Sequence, residues 1–279
     1  MRHYVTLCDY AYLPRAIVLY ESLKRYSSDD FRLIILAMDD GTAVYCRDKL
    51  LASSRLNIIK RSDIYALIPA LTWQEYCWLC ASQITEFLLM ENMNRIDELV
   101  YLDADMMFFS DPKQIFDEIG DRSIGIIPHR FSNDTQHLAV NGQFNVSWVS
   151  FKNTAAGREC LSRWAAQVRE KCSASDGCGD QKYLDEWPAL YGDEVCIIQN
   201  PGAGLAPWNI AQYEITEGPN VDGQPVVFYH YHEFKQEETS FYLTGHRLRA
   251  SDRDLIYDPY IDEYIKASNA IESLRLRSG

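Results

Sequence analysis

Apolar segments alternate with amphipathic segments along the first half of the chain, and this alternation limits the fold more than any other feature. The segments typical of buried strands are HYVTLC, FRLIILAMDD, LNIIK and ELVYLDADMMFF. The segments typical of helices run from Pro14 to Tyr26, near Cys46 to Leu51 and from Trp73 to Asn94. The pattern predicts an α/β domain whose largely parallel sheet is covered by helices on both faces.

The second half is less regular and shows no domain boundary in its composition. SIGIIPH, FNVSWVSF and VVFYHYHEF are typical of strands, and Gly157 to Lys171 is typical of a helix. We therefore expect one domain over residues 1–279. The tail from about Asp258 to Gly279 has the pattern of an amphipathic helix, which either packs on the core or contacts a membrane surface.

The chain is acidic, with 27 Lys and Arg against 40 Asp and Glu and a formal net charge of −13. Such a charge repels a phosphate backbone, so we expect no nucleic-acid partner. A nucleotide that binds here must meet local positive charge, from a metal ion or a helix N-terminus, because the field of the whole protein opposes it.

The N-terminal segment MRHYVTLCDYAYLPRA lacks the apolar run of a signal peptide. No segment reaches the apolar length of about 18 residues that a membrane span needs. We therefore expect a cytoplasmic protein with no transmembrane segment. The amphipathic tail leaves peripheral contact with the inner face of the membrane open.

The most informative segment is the apolar strand LVYL, which runs directly into Asp103-Ala104-Asp105. Ligands of open α/β sheets bind beyond the carboxyl ends of the strands. Residues two apart on an extended chain point to the same side, so the two carboxylates can face one cation. The alternative is that two acids simply end a strand in an acidic chain.

A second pair of possible ligands is His230 and His232, which lie on the same side of a predicted strand. One imidazole would join the two carboxylates, and His230 is the preferred candidate by its spacing. A nitrogen ligand favours Mn²⁺ over Mg²⁺. Alternatively, both histidines belong to the core.

Two polar residues, Asp180 and Gln181, follow Gly177 and Gly179 in a segment rich in glycine, proline and aromatic residues. Glycine allows a tight loop to approach a ligand, although a solvated polar turn is the alternative. Trp208 either packs on a sugar or anchors its loop.

Five segments, in this order, resemble the GT-A glycosyltransferases, especially the retaining family 8 enzymes and their bacterial relatives. They are VTLCDYAYLPRAIVLYESL, YLDADMMFFSDP, GQFNVSWVSF, GDQKYLDEWP and FYHYHEFK. The resemblance implies a single GT-A, Rossmann-like domain with a mostly parallel mixed sheet and a C-terminal helical tail. Residues 1–127 would be the nucleotide-binding half, 128–235 the donor-sugar and acceptor half, and 236–279 the tail.

The resemblance also implies roles for single residues. The donor-binding residues would be Asp9, Tyr12, Asp103, Ala104, Asn145 and Lys235. Among them, Asp9 would contact the base, Tyr12 would stack near it, and Lys235 would face the departing phosphate. The metal ligands would be Asp103, Asp105 and His230. The catalytic residues beside the anomeric carbon would be Asp180 and Gln181.

The function implied by the resemblance is metal-dependent transfer of a hexosyl group from a nucleoside-diphosphate donor, such as a UDP-sugar, to a hydroxyl group. The cofactor would be Mn²⁺ or Mg²⁺, and the reaction would retain the anomeric configuration. The acceptor would be a carbohydrate or glycolipid in surface polysaccharide or glycolipid synthesis. Acceptor contacts are expected around residues 128–138, where His129, Arg130 and His137 cluster.

The sequence departs from the family pattern in three places. Ser147 stands where the family has a glycine, and Trp78 or Cys80 where it has a basic residue. The spacing from the metal histidine to the phosphate-binding lysine is shortened, so either Lys235 takes that place with a shifted loop or Gln236 occupies it without charge. A binding module without catalysis is therefore one alternative. A sugar-nucleotide hydrolase or nucleotidyltransferase is another, although CDYAYLPRA lacks the glycine-rich, arginine-bearing loop of a nucleotidyltransferase.

Overall fold

The computed structural model describes residues 1–47, 54–60, 71–175, 179–238 and 240–278. Over these residues the α-helices are α1 Leu13–Tyr26, α2 Asp40–Tyr45, α3 Trp73–Glu91, α4 Lys113–Ile119, α5 Ala155–Glu170, α6 Trp187–Tyr191, α7 Ala250–Asp252 and α8 Asp258–Ser278. Short 3₁₀ helices span Gln136–Asn141, Asp180–Glu186, Gly192–Glu194 and Ile210–Gln212, and a π-helical turn spans Arg253–Tyr257. Of the helix expected near Cys46 to Leu51, residues 48–51 lie outside the described residues.

The strands of the described residues form one large sheet and three small ones. They are β1 Arg2–Cys8, β2 Phe31–Ala37, β3 Leu56–Lys60, β4 Glu98–Leu102, β5 Met106–Phe108, β6 Ile124–Pro128, β7 Phe144–Lys152, β8 Val195–Ile197, β9 Ile215–Thr216, β10 Asn220–Val221, β11 Gln224–Pro225, β12 Phe228–His230, β13 Lys235–Gln236 and β14 Phe241–Tyr242. The large sheet has the order β3-β2-β1-β4-β7-β6-β8 within the part of the chain that is described. Only β7 among these strands runs antiparallel to its neighbours, so the predicted mostly parallel mixed sheet is confirmed.

Alternate residues of the central strands pack against helices on opposite faces of the sheet. Val5 and Leu7 of β1 belong to the core that includes α3 and α5, whereas Tyr4 belongs to the core that includes α1 and α4. Because both faces are covered, apolar residues occupy both sides of these strands instead of only one side. A capping box of Thr72 and Glu75 begins α3 by satisfying backbone N–H groups of its first turn.

Below the large sheet, the pair β5 and β12 forms a second layer that continues from the end of β4. Trp148 of β7 joins the two layers. It is fully buried, stacks with Phe228 of β12 at 6.1 Å between ring centroids, and contacts Phe108 of β5 edge-on at 6.5 Å. The main core and the second layer therefore share one aromatic cluster.

The tail helix α8 packs on this second layer. Tyr260 is buried and stacks on Tyr231 with 3.6 Å between ring centroids, and Tyr264 is buried against Phe234. The packed interpretation of the tail therefore holds as far as Ile271, which is also buried in the core, with Ile265 exposed on the outer side. None of the helices in the described residues combines the length and apolarity that crossing a bilayer requires.

Replacing Trp148 with alanine is expected to lower the free energy of unfolding by about 3–5 kcal/mol, because removal of the indole ring leaves a large cavity between the two layers. Urea denaturation of the purified protein measures this change. Leu190→Ala is the control, since Leu190 is 51% exposed and a surface change of this kind stays within about 0.5 kcal/mol. Equal stabilities of the two variants would contradict a joining role for Trp148.

Candidate active site

The two acidic residues after β4 lie at the corner between the large sheet and the second layer. β4 ends at Leu102, β5 begins at Met106, and Asp103-Ala104-Asp105 spans the gap between them. β12 runs antiparallel to β5 and places His230 opposite Met106. The Tyr231 N–H donates to the Asp105 carbonyl oxygen at 2.8 Å, which holds the two segments together beside the acids.

This pairing brings three possible metal ligands together. His230 Nε2 lies 3.2 Å from an Asp105 carboxylate oxygen and 3.7 Å from an Asp103 carboxylate oxygen. One ligand atom from each of the three residues lies within 4.8 Å of the others. Two carboxylate oxygens and one imidazole nitrogen are a donor set for a divalent cation, and an open side toward the cavity leaves room for further oxygen ligands. The residues therefore fit a cation such as Mn²⁺.

The three groups shift each other's protonation. Loss of hydration raises the pKa of Asp103 to about 6, with the Asp105 charge acting in the same direction. Burial works to raise the pKa of Asp105 as well, but the nearby His230 outweighs it and lowers that pKa. Burial opposes the charge on His230, yet the Asp105 carboxylate raises the pKa of the imidazole. Without a metal ion, a proton bound to this cluster reduces the repulsion between the two carboxylates.

His232 does not belong to this cluster in the described part of the chain. β12 ends at His230, and Glu233 has a positive φ of 68°, so the chain turns before it reaches β13. Burial, and then the neighbouring His230, lowers the pKa of His232. His232 lines the cavity above the cluster instead.

The cluster lies in the wall of a cavity of about 800 Å³. All predicted site residues except Lys235 line this cavity, namely Asp9, Tyr12, Asp103, Ala104, Asp105, Asn145, Asp180, Gln181 and His230. Five of the six histidines of the chain also line it, whereas no Lys or Arg does so among the described residues. Positive charge at the wall of this cavity must therefore come from imidazolium groups, a helix N-terminus or a bound cation.

Asp9 and Tyr12 lie in the turn between β1 and α1, in the wall of the cavity. Asp9 accepts hydrogen bonds from the Tyr12 backbone N–H at 2.9 Å and from the Trp73 indole N–H at 3.0 Å. The Tyr12 phenol lies close enough to the metal cluster that the Asp105 charge, followed by burial, raises its pKa to about 12. The phenol therefore stays neutral. Two elements far apart in the sequence therefore fix the Asp9 carboxylate.

Asp180 and Gln181 also line the cavity and begin a 3₁₀ helix. Gly177, which was expected to shape this loop, lies outside the described residues. The Trp164 indole N–H donates to the Asp180 carbonyl oxygen at 2.9 Å and anchors the loop to α5. Burial, with the Asp103 charge in the same direction, raises the pKa of Asp180 well above its usual range. Burial therefore favours the neutral form of this carboxyl, which can donate a hydrogen bond, over the charged form.

Trp208 anchors its loop and also lines the cavity, while its contact with a sugar stays a prediction. Its indole N–H donates to the His129 carbonyl oxygen at 3.0 Å, and the same oxygen accepts from the Asn209 side-chain amide at 2.8 Å, so Trp208 anchors its loop. Its ring also lines the cavity and contacts the rings of His129, His230 and His232 edge-on or at an angle, with centroids 5.2, 5.5 and 5.6 Å away.

The structure does not bring Lys235 to the cavity wall. Lys235 is exposed in the β13–β14 hairpin, where it pairs with Tyr242, and its assignment to the phosphate stays a prediction. His246 and Trp73 line the cavity and were missed. Because the chain has only six histidines, His246 could have been considered as a candidate site residue from the sequence. Nothing in the sequence linked Trp73 to Asp9.

No protein-family model matches this chain. Uncharacterized protein YfnF of Bacillus subtilis (strain 168) is 27% identical over 276 residues, covering 92% of this chain and 89% of that protein. YfnD of the same organism, also uncharacterized, is 26% identical over 275 residues and covers 93% of this chain and 87% of its own length.

Solved structures give the fold. An active-site mutant of LgtC aligns with a TM-score of 0.57 at 15% identity and covers 96% of this chain and 95% of that chain. LgtC is described as a galactosyltransferase in a complex with donor and acceptor sugar analogues. Mouse xyloside xylosyltransferase 1 aligns with a TM-score of 0.51 at 11% identity, over 83% of this chain and 98% of that chain. The chain has the GT-A fold of these glycosyltransferases.

Binding of Mn²⁺ alone is expected to depend on His230 but not on His232. His230→Gln removes a ligand of the cluster, whereas His232→Gln, the matched control, leaves it complete. Isothermal titration or Mn²⁺ electron paramagnetic resonance measures the affinity. Equal losses in both variants would contradict the assignment.

The Mn²⁺ affinity is also expected to fall with pH. Protons compete for Asp103, whose pKa is raised to about 6, and for His230, whose pKa is also raised. Below about pH 6 both groups carry protons, so affinity falls at least about tenfold per pH unit and is regained as pH rises. A flat profile between about pH 5 and about pH 7.5 in the same titration would exclude these two ligands.

Proposed function

We propose that this protein is a glycosyltransferase that transfers a sugar from a nucleoside-diphosphate donor to a hydroxyl acceptor with the help of a divalent cation. The observation that carries the proposal is the cluster of Asp103, Asp105 and His230 in the wall of a large cavity of a GT-A fold. A fold alone does not define a function, but a metal-ligand cluster at the carboxyl end of a strand supports one.

The charge of the cavity supports a role for the cation. The described lining contains five acidic side chains and no Lys or Arg, so a diphosphate group entering it meets net repulsion. A divalent cation held by the cluster would neutralise the diphosphate and stabilise it as a leaving group. The imidazole ligand favours Mn²⁺ over Mg²⁺, and we propose Mn²⁺ as the resident ion.

The roles of the other site residues rest on the resemblance to GT-A glycosyltransferases, and all of these residues except Lys235 line the cavity. Asp9 and Tyr12 would receive the base, with Ala104 behind the donor, and Asn145 would contact the donor sugar. Asp180 and Gln181 would lie beside the anomeric carbon, where a neutral Asp180 is able to donate a hydrogen bond to a sugar hydroxyl. Lys235 would need to turn inward from its hairpin to face the diphosphate.

The chemical step transfers one group between two oxygens. The acceptor oxygen forms a bond to the anomeric carbon, the bond from that carbon to the diphosphate oxygen breaks, and the electron pair leaves with the diphosphate. The acceptor proton passes to solvent. Preorganised ligands favour this step because they meet the charge that develops on the leaving group.

The finer parts of the proposal rest on the resemblance and on the similar proteins. We propose a UDP-hexose as the first donor to test, transfer with retention, and a carbohydrate or glycolipid acceptor. A role in surface polysaccharide or glycolipid synthesis at the inner face of the membrane agrees with a helical tail that exposes Ile265. Galactosyl and xylosyl transfer are the activities named for the similar structures.

Asp105→Asn is expected to lower donor turnover at least about 100-fold, because the variant keeps the shape of the site but weakens its hold on the cation. Release of nucleoside diphosphate from a panel of nucleotide sugars, with Mn²⁺ and with a chelator, measures the effect. Asp117→Asn is the matched control, since Asp117 is exposed and pairs only with Lys113 among its described contacts. The proposed metal site would be contradicted if Asp105→Asn and Asp117→Asn showed equal donor turnover and the same metal dependence.

A further inference from the structure

A hydrogen-bonded chain of three side chains connects His129 to the part of the cavity that we assign to the donor sugar. Asn145 Nδ2 lies 3.2 Å from His129 Nε2 and 3.4 Å from Gln181 Oε1. Gln181 Nε2 in turn lies 3.3 Å from the Asn141 carbonyl oxygen. All three side chains line the cavity, and His129 and Asn145 are buried.

A bulge in the sheet creates one end of this chain. The pairing between β6 and β7 shifts between Ile126, which faces Val149, and Ile127, which faces Asn145. The shift releases the Ser147 N–H from the ladder, and Asn145 Oδ1 accepts it at 2.9 Å. Bulges near active sites commonly redirect a side chain in this way.

Two backbone groups fix the directions of these hydrogen bonds, because the Ser147 N–H is always a donor and the Asn141 carbonyl is always an acceptor. The Ser147 N–H only donates, so the oxygen of the Asn145 amide must face it and the NH₂ group must face His129 and Gln181. The Asn141 carbonyl only accepts, so the NH₂ group of Gln181 must face it and the Gln181 oxygen must face Asn145. Both amide orientations are therefore fixed.

The same logic fixes the imidazole. Because Asn145 donates to His129 Nε2, that nitrogen carries no proton, and His129 is neutral with its proton on Nδ1. Burial lowers the pKa of His129 to about 3, which agrees with a neutral ring. Nδ1 is buried and has no hydrogen-bond partner among the described residues. The backbone carbonyls of Gln143 and Gly142 nevertheless work to raise the pKa of the ring, which favours a proton on it.

The ring of His129 is held by packing. It stacks on Phe131 with 4.5 Å between ring centroids and an interplanar angle of 10°. The Trp208 ring lies against it at 5.2 Å and 61°. Such a clamped ring presents the Nε2 lone pair in one direction, which is the requirement for orienting a neighbouring amide.

We propose that His129 is a positioning residue whose Nε2 accepts from the Asn145 amide and thereby orients Asn145 and Gln181 toward the donor sugar. The part concerning the sugar rests on the proposed function, whereas the hydrogen bond itself does not. His129 would touch neither the metal cluster nor the reacting atoms. It acts through the two amides.

Two variants separate this role from packing. His129→Phe keeps an aromatic ring between Phe131 and Trp208 but removes the acceptor. His129→Gln loses the ring but offers an amide oxygen near the former position of Nε2. We expect His129→Phe to lower kcat about 10- to 100-fold, which corresponds to the loss of one buried hydrogen bond. We expect the kcat of His129→Gln to stay within about threefold of the parent value. Full activity of His129→Phe, or His129→Gln as impaired as His129→Phe, would overturn the proposal.

The Mn²⁺ affinity of both variants, measured with the metal alone, is expected to equal that of the parent. A loss in His129→Phe would overturn the proposal too, because the effect would then pass through the metal cluster.

An NMR measurement on the unmodified protein tests the hydrogen bond independently of any activity. Long-range ¹H–¹⁵N correlation spectra of the histidine rings report which nitrogen carries the proton. We expect the neutral Nδ1–H form for His129 at neutral pH, and a proton on Nε2 would overturn the proposal. If the parent protein transfers no sugar from any donor while this form is observed, the proposed function fails and the orienting hydrogen bond stands.

Discussion

The candidate site depends on the antiparallel pairing of β5 with β12. This pairing brings His230 against Asp105 although the two residues are far apart in the sequence, and it is closed by the hydrogen bond from Tyr231 to the Asp105 carbonyl. Trp148 stacks on Phe228 of the same pair and ties it to the large sheet. The packing that stabilises the fold therefore also sets the distances between the possible metal ligands.

Charge explains why such a cluster matters in this cavity. The walls carry acidic groups and imidazoles but no Lys or Arg among the described residues, so the cavity cannot counter a diphosphate with fixed cations. Its carboxyl groups nevertheless differ. His230 lowers the pKa of Asp105, whereas burial, with the Asp103 charge in the same direction, raises the pKa of Asp180. The same type of side chain therefore favours the charged form at one position of the cavity and the neutral form at another.

The sequence placed His230 and His232 on the same side of one strand and could prefer one of them only by spacing. The structure separates them because β12 ends at His230 and the chain turns at Glu233. The same turn carries Lys235 into a hairpin away from the cavity wall. A strand pattern gives no warning of such an ending, because the apolar residues continue through Tyr231 and Phe234 into a buried turn.

The sequence by itself determined the α/β class, the strands whose ends carry Asp9, Asp103 and Asp105, and the acidic character of the site, since these follow from periodicity and composition. Only the tertiary structure decided the contact of Trp73 with Asp9 and the chain from His129 through Asn145 to Gln181. These contacts require a shifted strand register and packing between distant elements. Local patterns specify which faces of a strand are apolar, but they do not specify which residue of a neighbouring strand lies opposite.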